Sequence, residues 1–295
     1  MHPFLKWAGG KRQLLPIISQ YYPFDTCTKY VEPFVGGGAV LFDVLLNYNI
    51  QEIYISDINA HLINAYQVIK LYPTELITEL KKLNKTYNTK DIVKKKQYYL
   101  NCRHKFNQQE NVLTARKKTR VLNAAYMIFL NKTCFNGLYR VNSKGEFNVP
   151  FGKFENPMIC DEENIQTISQ KLQNVSIKYG PYTTWEKEID EHTFVFLDPP
   201  YRPLNKTSSF NAYAKDTFGD KEQKELAEFI KTIHTAGAKF VLCNSDPHNT
   251  NPNDDFFDEL YKDYHIHRVP ASRMINSQAK GRGKITELLI TNIAD

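Results

Sequence analysis

The sequence predicts an α/β protein with a mixed sheet at its core, interrupted by a mainly helical insertion that carries a β-hairpin. Three stretches carry that expectation. The apolar run Phe194-Val195-Phe196-Leu197 is unbroken, as in a strand buried on both faces, and stops at Asp198-Pro199-Pro200-Tyr201. The segment Lys29-Tyr30-Val31-Glu32-Pro33-Phe34 is β-rich and enters the triple-glycine turn Gly36-Gly37-Gly38, after which Val40, Leu41, Val44 and Leu45 recur at helical spacing. Between about residues 59 and 172 helical spacing dominates and few strand signals occur.

Composition sets wide bounds. With 295 residues, 42% of them hydrophobic, the chain can bury a substantial core as one large domain or two smaller ones. A net charge of +6 is compatible with a polyanionic partner without being diagnostic of one. The five cysteines, Cys27, Cys102, Cys134, Cys160 and Cys243, form no C-x-x-C pair and no metal-ligand spacing, so reduced thiols in a cytoplasmic protein, with no metal, are expected. Residues 1–11 hold too short an apolar run for a signal peptide and no segment approaches a membrane span, so no membrane partner is expected.

In chain order, Phe4-Leu5-Lys6-Trp7-Ala8-Gly9-Gly10-Lys11 precedes a helix over about 12–21. A phosphate loop of the pattern G-x-x-x-x-G-K-[ST] fails at Leu5 and Arg12. The paired glycines still allow close backbone approach to a ligand, beside one apolar plate, Trp7, and one cation, Lys11. The bland alternative is a glycine turn with a core tryptophan. After the triple glycine, a strand over 52–56 delivers Asp57 about 20 residues on, the spacing of an acid that binds ribose hydroxyls. Leu41 stands where G-x-G-x-x-G needs its third glycine, which disfavours a dinucleotide.

In the insertion, Leu62, Ala65, Tyr66 and Ile69, then Leu76, Leu80 and Leu83, mark helices. Basic stretches at 90–105 and 116–120 suit phosphate contact, although a run such as Lys94-Lys95-Lys96 reads as a solvated helix face. In residues 131–152, the turn-forming Asn142-Ser143-Lys144-Gly145 between two short segments predicts the hairpin. A two-stranded ribbon fits a DNA major groove, where Arg140 can bond guanine O6 and N7 while Leu138 and Pro150 pack on a thymine methyl. Phe135 can wedge into a base stack.

A helix over 162–172 and a strand over 175–179 lead to the Asp198 strand. Residues 202–218, with Ser208-Ser209-Phe210, read as a lid or a flexible surface loop. A helix over 221–234, a buried strand over 239–244 and a closing pair over 266–269 and 285–292 complete the chain. Between that pair, Lys280-Gly281-Arg282-Gly283-Lys284 suits phosphate contact, or is a plain solvated loop. His265 and His267 alternate on a strand without a third ligand and read as surface or packing residues.

The chemistry concentrates at Asp198. Ligands of open α/β sheets bind beyond the carboxyl ends of the strands. Pro199 and Pro200 fix φ and offer no N–H, which leaves the Asp198 side chain and nearby carbonyls as acceptors. The exocyclic amine of a nucleobase is a matching donor, and Tyr201 offers that base a face to stack on.

Asp198-Pro199-Pro200-Tyr201 is similar to the signature of DNA amino-methyltransferases, and the chain resembles their Dam-type, α-group adenine-N6 branch, which includes methyltransferases of restriction–modification systems. The likeness runs through the N-terminal segment, the glycine turn, most of residues 131–152 and the signature, in that order. It implies a Rossmann-like, AdoMet-dependent methyltransferase fold, with residues 1–58 and 173–295 forming the catalytic domain and 59–172 a target-recognition domain whose hairpin spans about 134–152. It implies methyl transfer from S-adenosyl-L-methionine to N6 of a flipped adenine in double-stranded DNA, at a GATC-like site, with a cognate restriction endonuclease as partner. The catalytic set is then Asp198, Pro199, Pro200 and Tyr201. The cofactor set is Trp7, Lys11, Phe34, Gly36, Gly38, Asp57 and Asp198. The DNA-reading set is Lys6, Phe135, Asn136, Leu138, Arg140 and Pro150, with Lys6 on the first guanine. Family members often carry tyrosine where Phe135 stands; stacking survives that change and a hydroxyl contact does not.

Two other readings compete. The acceptor geometry suits any exocyclic amine, including cytosine N4 or an RNA base, but the major groove of RNA is too narrow for the hairpin. A non-catalytic DNA-binding protein that kept the fold is disfavoured by the intact Trp7, Lys11, Asp57 and Asp198 set.

Overall fold

The computed structural model describes residues 1–109, 111–202, 218–272 and 284–294. Apart from Arg202, Phe218 and the backbone at Lys284, the expected lid at 202–218 and the basic loop at 280–284 lie outside the described residues.

The central strands form where the sequence turns apolar. β1 (Lys29–Glu32), β2 (Glu52–Asp57), β3 (Val175–Tyr179), β4 (Thr193–Leu197), β5 (Lys239–Ser245), β6 (His265–Ser272) and β7 (Lys284–Thr291) make one sheet in the order β3-β2-β1-β4-β5-β7-β6. The first five run parallel, in registers such as Lys29 with Glu52, Lys29 with Thr193 and Phe194 with Lys239. β7 runs antiparallel to both of its neighbours, so the expected closing pair is present and the sheet is mixed. Both faces of the sheet are covered, which explains the unbroken apolar run of β4: Phe194 and Phe196 enter one core cluster, Val195 and Leu197 the other.

The strand order reverses between β1 and β4, and a crevice at such a point is where open α/β sheets bind ligands. Glu32 ends β1, Asp57 ends β2, and Asp198 follows β4 at that same edge. α2 (Ala39–Asn47) starts from Gly38, whose φ of +72° sits in the left-handed region that favours glycine.

The helix expected over 12–21 is broken into three pieces: a 3₁₀ turn at Lys11–Gln13, α1 (Leu15–Ile18) and a second 3₁₀ turn at Ser19–Tyr21. Pro16 in the first turn of α1 has no N–H for a bond to the preceding turn, so the helix cannot run through.

Between β2 and β3 the described chain is helical: α3 (Ala60–Leu71), α4 (Pro73–Asn88), α5 (Ile92–Asn107), α6 (Lys117–Thr133) and α7 (Glu162–Lys171). Asn59 caps α3 by accepting from the Leu62 N–H (3.0 Å), and Asp91 caps α5 through the Lys94 N–H (2.9 Å). α6 packs against α3, α4 and α5. The run Lys94-Lys95-Lys96 is only in part a solvated face. Lys95 is buried, donating to the Glu155 carbonyl at 2.5 Å with its ammonium over the Tyr87 ring (5.0 Å). α8 (Asp220–Thr235) and α9 (Phe256–Leu260) follow β4 and β5. All five cysteines are free, and no helix among the described residues is long and apolar enough to cross a membrane.

The hairpin is present in a reduced form. Instead of two regular strands there are two antiparallel bridges, Cys134 with Phe151 and Val141 with Phe147. A 3₁₀ turn at Phe135–Gly137 interrupts the first limb, with Asn136 at φ +56°. The end turn forms as expected: the Gly145 N–H donates to Asn142 O (2.9 Å), and the Asn142 side chain accepts from the N–H groups of Lys144 (2.9 Å) and Glu146 (3.0 Å).

Candidate active site

The end of β4 meets the N-terminal glycine segment. Lys11 is buried, and its Nζ donates to Asp198 Oδ1 at 2.7 Å and to Gly9 O at 2.8 Å while lying 4.7 Å from the centre of the Tyr201 ring. The Tyr201 hydroxyl donates to Glu287 Oε2 at 2.5 Å, and that carboxylate is 4.0 Å from Lys11 Nζ. One ammonium therefore serves two carboxylates and an aromatic ring. Burial pushes the Asp198 carboxyl up, Lys11 opposes that shift and Glu287 adds to it. Burial works against the Lys11 charge, but its neighbours, Asp198 foremost and then Cys243 and Glu287, outweigh it and its pKa is raised. Behind this site a buried relay fixes the proline turn: Asn244 Nδ2 donates to Gln223 Oε1 (3.0 Å), and Gln223 Nε2 to Pro200 O (3.3 Å).

The glycine loop lies beside the end of β2. Asp57 Oδ2 accepts from the Gly36 N–H (3.1 Å) and Oδ1 from the Asn59 N–H (2.8 Å); burial pushes its pKa up to about 6 against those bonds. Trp7 lies on the loop so closely that a Cβ on Gly36 would sit 2.9 Å from its Cδ1, and Gly36 has φ +47°. Tyr66 donates to Gly36 O at 3.1 Å from the other side. Phe34 packs in the second apolar cluster, 5.6 Å from the Tyr182 ring and 6.0 Å from Phe218.

The hairpin presents one face outward. Phe135 (53% exposed), Asn136, Arg140 and Pro150 are exposed and Leu138 is half-buried, while Phe147 and Val149 point inward. α5 holds that inner side: Tyr99 donates to Val149 O (2.7 Å), and Asn107 bonds both the N–H (2.9 Å) and the C=O (3.0 Å) of Phe147. Arg140 Nε is aimed by Asn148 Oδ1 at 2.7 Å. Asn131, at the end of α6, accepts from the Lys6 N–H (2.8 Å) and donates to Lys6 O (2.9 Å) and Gly137 O (2.9 Å). The Lys6 stem lies across Gly137, whose φ is +65°.

The residues expected to act together thus fall into three adjoining groups: Asp198, Lys11 and Tyr201; Asp57, Gly36 and Trp7; Lys6 and the hairpin. Tyr139 joins the last two, its ring stacked on Trp7 with centroids 5.2 Å apart. Sequence reasoning missed Tyr139, Asn131, Gln223, Glu287 and Glu32. Glu32, fully buried at the end of β1, accepts from the Tyr30 hydroxyl at 2.8 Å; burial drives its pKa to about 8 although Tyr30 pulls it down. Glu32 and Glu287 are lone acids bordering apolar strand residues, a pattern that does not by itself mark a site. Elsewhere His248, Asp255 and Asp258 come together, but His248 Nε2 is 3.0 Å from Asp255 and Asp258 is 2.7 Å from Arg268.

Residues 7–275 match the family described as D12 class N6 adenine-specific DNA methyltransferase. The chain is 46% identical to the type II methyltransferase M.MjaIII of Methanocaldococcus jannaschii, covering 98% of each protein. It is 39% identical to the type II methyltransferase M1.LlaDCHI of Lactococcus lactis, over 99% of this chain and 95% of that one. Against the DNA adenine methylase of Escherichia coli the identity is 32%, over 97% and 93%. With a seven-stranded mixed α/β sheet and matches of this length, the chain belongs to the D12 class of N6 adenine-specific DNA methyltransferases.

Proposed function

We propose that this chain transfers the methyl group of S-adenosyl-L-methionine to N6 of an adenine flipped out of duplex DNA, at GATC, in concert with a restriction endonuclease that cuts the same site. The observation that carries the chemistry is the acceptor-only end of β4, where Asp198 is held by Lys11 beside the Tyr201 ring. The type II names of two relatives support the restriction–modification setting. In this reading residues 1–58 and 173–295 catalyse, residues 59–172 recognise, and the protein works in the cytoplasm.

The residues fit the cofactor. Asp57 spends part of its acceptor capacity on Gly36 and Asn59, and a carboxylate has lone pairs left for ribose hydroxyls. Trp7, Phe34 and the backbone at Gly36 and Gly38 offer apolar walls and close approach, and Lys11 a cation. S-adenosyl-L-methionine supplies a methyl group made electrophilic by its positively charged sulfur. Inside a duplex the adenine amine is shielded, so the base must leave the stack at a cost of about a few kcal/mol. Tyr201 offers it a stacking face. Asp198 and the Pro199 carbonyl accept the two N–H bonds of N6, which aims the nitrogen lone pair away from the ring and toward the donor. The enzyme contributes orientation and electrostatics and forms no covalent bond. On the hairpin, Arg140, Asn136, Leu138 and Pro150 meet base edges, Lys6 meets the first guanine, and Phe135 fills the stack.

The test is methyl incorporation from labelled S-adenosyl-L-methionine into two duplexes that differ only at the adenine of GATC, followed by nucleoside analysis. Labelled N6-methyladenine in the GATC duplex alone is expected; equal labelling of both would discard the site assignment. Asp198→Ala should lose roughly 100- to 1,000-fold or more in kcat with DNA binding largely kept, and a variant that still turns over normally would remove Asp198 from the mechanism.

A further inference from the structure

We propose that Glu287 is a positioning residue for methyl transfer: through the Tyr201 hydroxyl, its carboxylate fixes the tilt of the ring on which the target base stacks. The inference rests on the reading of Tyr201 as that stacking platform.

The two prolines set the backbone up to Tyr201, but they leave the ring free to turn about its own side-chain bonds, where the outer torsion is broad. Something else must hold the ring. β7 supplies it from far along the chain: its antiparallel register with β5 places Glu287 opposite Ser245, the last residue of β5, at the sheet edge where Asp198 emerges from β4. The Tyr201 hydroxyl reaches Glu287 Oε2 at 2.5 Å. A hydroxyl bonded to a carboxylate is about twice as strong as a neutral pair, and its geometry is narrow.

The same carboxylate has a second partner. Lys11 Nζ is 4.0 Å from Glu287, 2.7 Å from Asp198 and 4.7 Å from the centre of the Tyr201 ring. Glu287 is 19% exposed, and a carboxylate so far withdrawn from water needs that cation. The ring is thus pinned at its hydroxyl by Glu287 with the Lys11 ammonium against it, and in this reading the base stacks on the face away from Lys11. A phenol donating to a carboxylate also carries more electron density in its ring. That favours stacking most strongly as the adenine nitrogen gains positive charge, so the benefit falls on the transition state. The sheet does not need this side chain, because the next residues of β7, Leu288, Leu289 and Ile290, provide its buried contacts.

The experiment uses the full chain, with 2-aminopurine at the target adenine of a GATC duplex to report stacking of the flipped base, alongside steady-state kinetics. Glu287→Ala should lower kcat about 10- to 100-fold, leave both KM values within about three-fold, and brighten the 2-aminopurine signal as the base loses its fixed platform. Glu287→Gln, which still accepts from the hydroxyl, should recover most of kcat. Tyr201→Phe removes the same bond from the other end; it should match Glu287→Ala, and the double variant should be no worse than either. Wild-type kcat and brightness in Glu287→Ala, or losses that multiply in the double variant, overturn the proposal. If Glu287→Ala does not fold, Tyr201→Phe decides alone, and an unchanged kcat there overturns it. Tyr201→Ala separates the two levels: normal turnover in that variant removes the platform itself, whereas its failure beside an unaffected Glu287→Ala removes only Glu287.

Discussion

Glu32 carries a carboxyl group where a charge is poorly tolerated. Burial raises its pKa from the ordinary 4.5 to about 8, so folding favours the protonated acid. The associated stability is complete below about pH 4.5 and is lost as pH rises through about 8. Glu32→Gln should therefore flatten the fall in Tm between about pH 4.5 and 8, with a gain above that range on the order of a few kcal/mol. Parallel Tm curves for the two proteins would contradict this. At this scale the sequence is legible wherever a residue belongs to a motif: Asp198, Tyr201, Trp7 and Asp57 are singled out by their neighbours in the chain, and the fold brings them into adjoining groups. It was blind where a residue owes its role to a distant partner. Glu287 sits in β7 with no motif around it, and its link to Tyr201 exists only because β5 and β7 pair. Glu32 before a proline looks like a strand end in water, and only the covered sheet shows otherwise.

Among the elements, the hairpin shows how much local chemistry can decide. Its turn was predicted from Asn142 to Gly145 and formed, but Phe135–Gly137 winds into a 3₁₀ turn where a strand was expected. The cause is tertiary: Asn131 holds Gly137 O to Lys6, and Phe147 and Val149 are drawn onto α5. The break in the helix over 12–21 was open to prediction, since Pro16 stands in it. Burial of Lys95 was not, because its acceptor comes from Glu155, well outside the helix. The hairpin's geometry sets two expectations. Arg140→Ala should relax discrimination at one base pair by about 1–3 kcal/mol, read from kcat/KM on single-substituted duplexes; a uniform loss across sequences would mark Arg140 as a phosphate contact instead. Gly137→Ala forces a side chain into a left-handed φ and against Lys6, and should weaken binding to GATC duplexes while leaving cofactor binding intact.

For the whole molecule, the reversal of strand order between β1 and β4 gathers the ends of β1, β2 and β4 at one edge, and this much could be expected from motif order alone. The antiparallel placement of β7 between β5 and β6 could not, since nothing in a strand's composition names its neighbour. A cofactor bound only by the folded state adds about 2.7 kcal/mol at a concentration 100 times its Kd, so S-adenosyl-L-methionine should raise Tm by several degrees. Asp57→Ala should abolish that rise; a shift of full size in the variant would move the cofactor elsewhere. One contact reaches further than its size suggests. Asn131 ties the 3₁₀ turn of the hairpin, at Gly137, to Lys6, so the N-terminal segment and the hairpin form a single mechanical part. A hairpin transplanted from a relative with a different target sequence would arrive without its footing. Grafting of a new preference would have to carry the N-terminal segment and the end of α6 along with the loop, and drift in any of the three would be constrained by the other two.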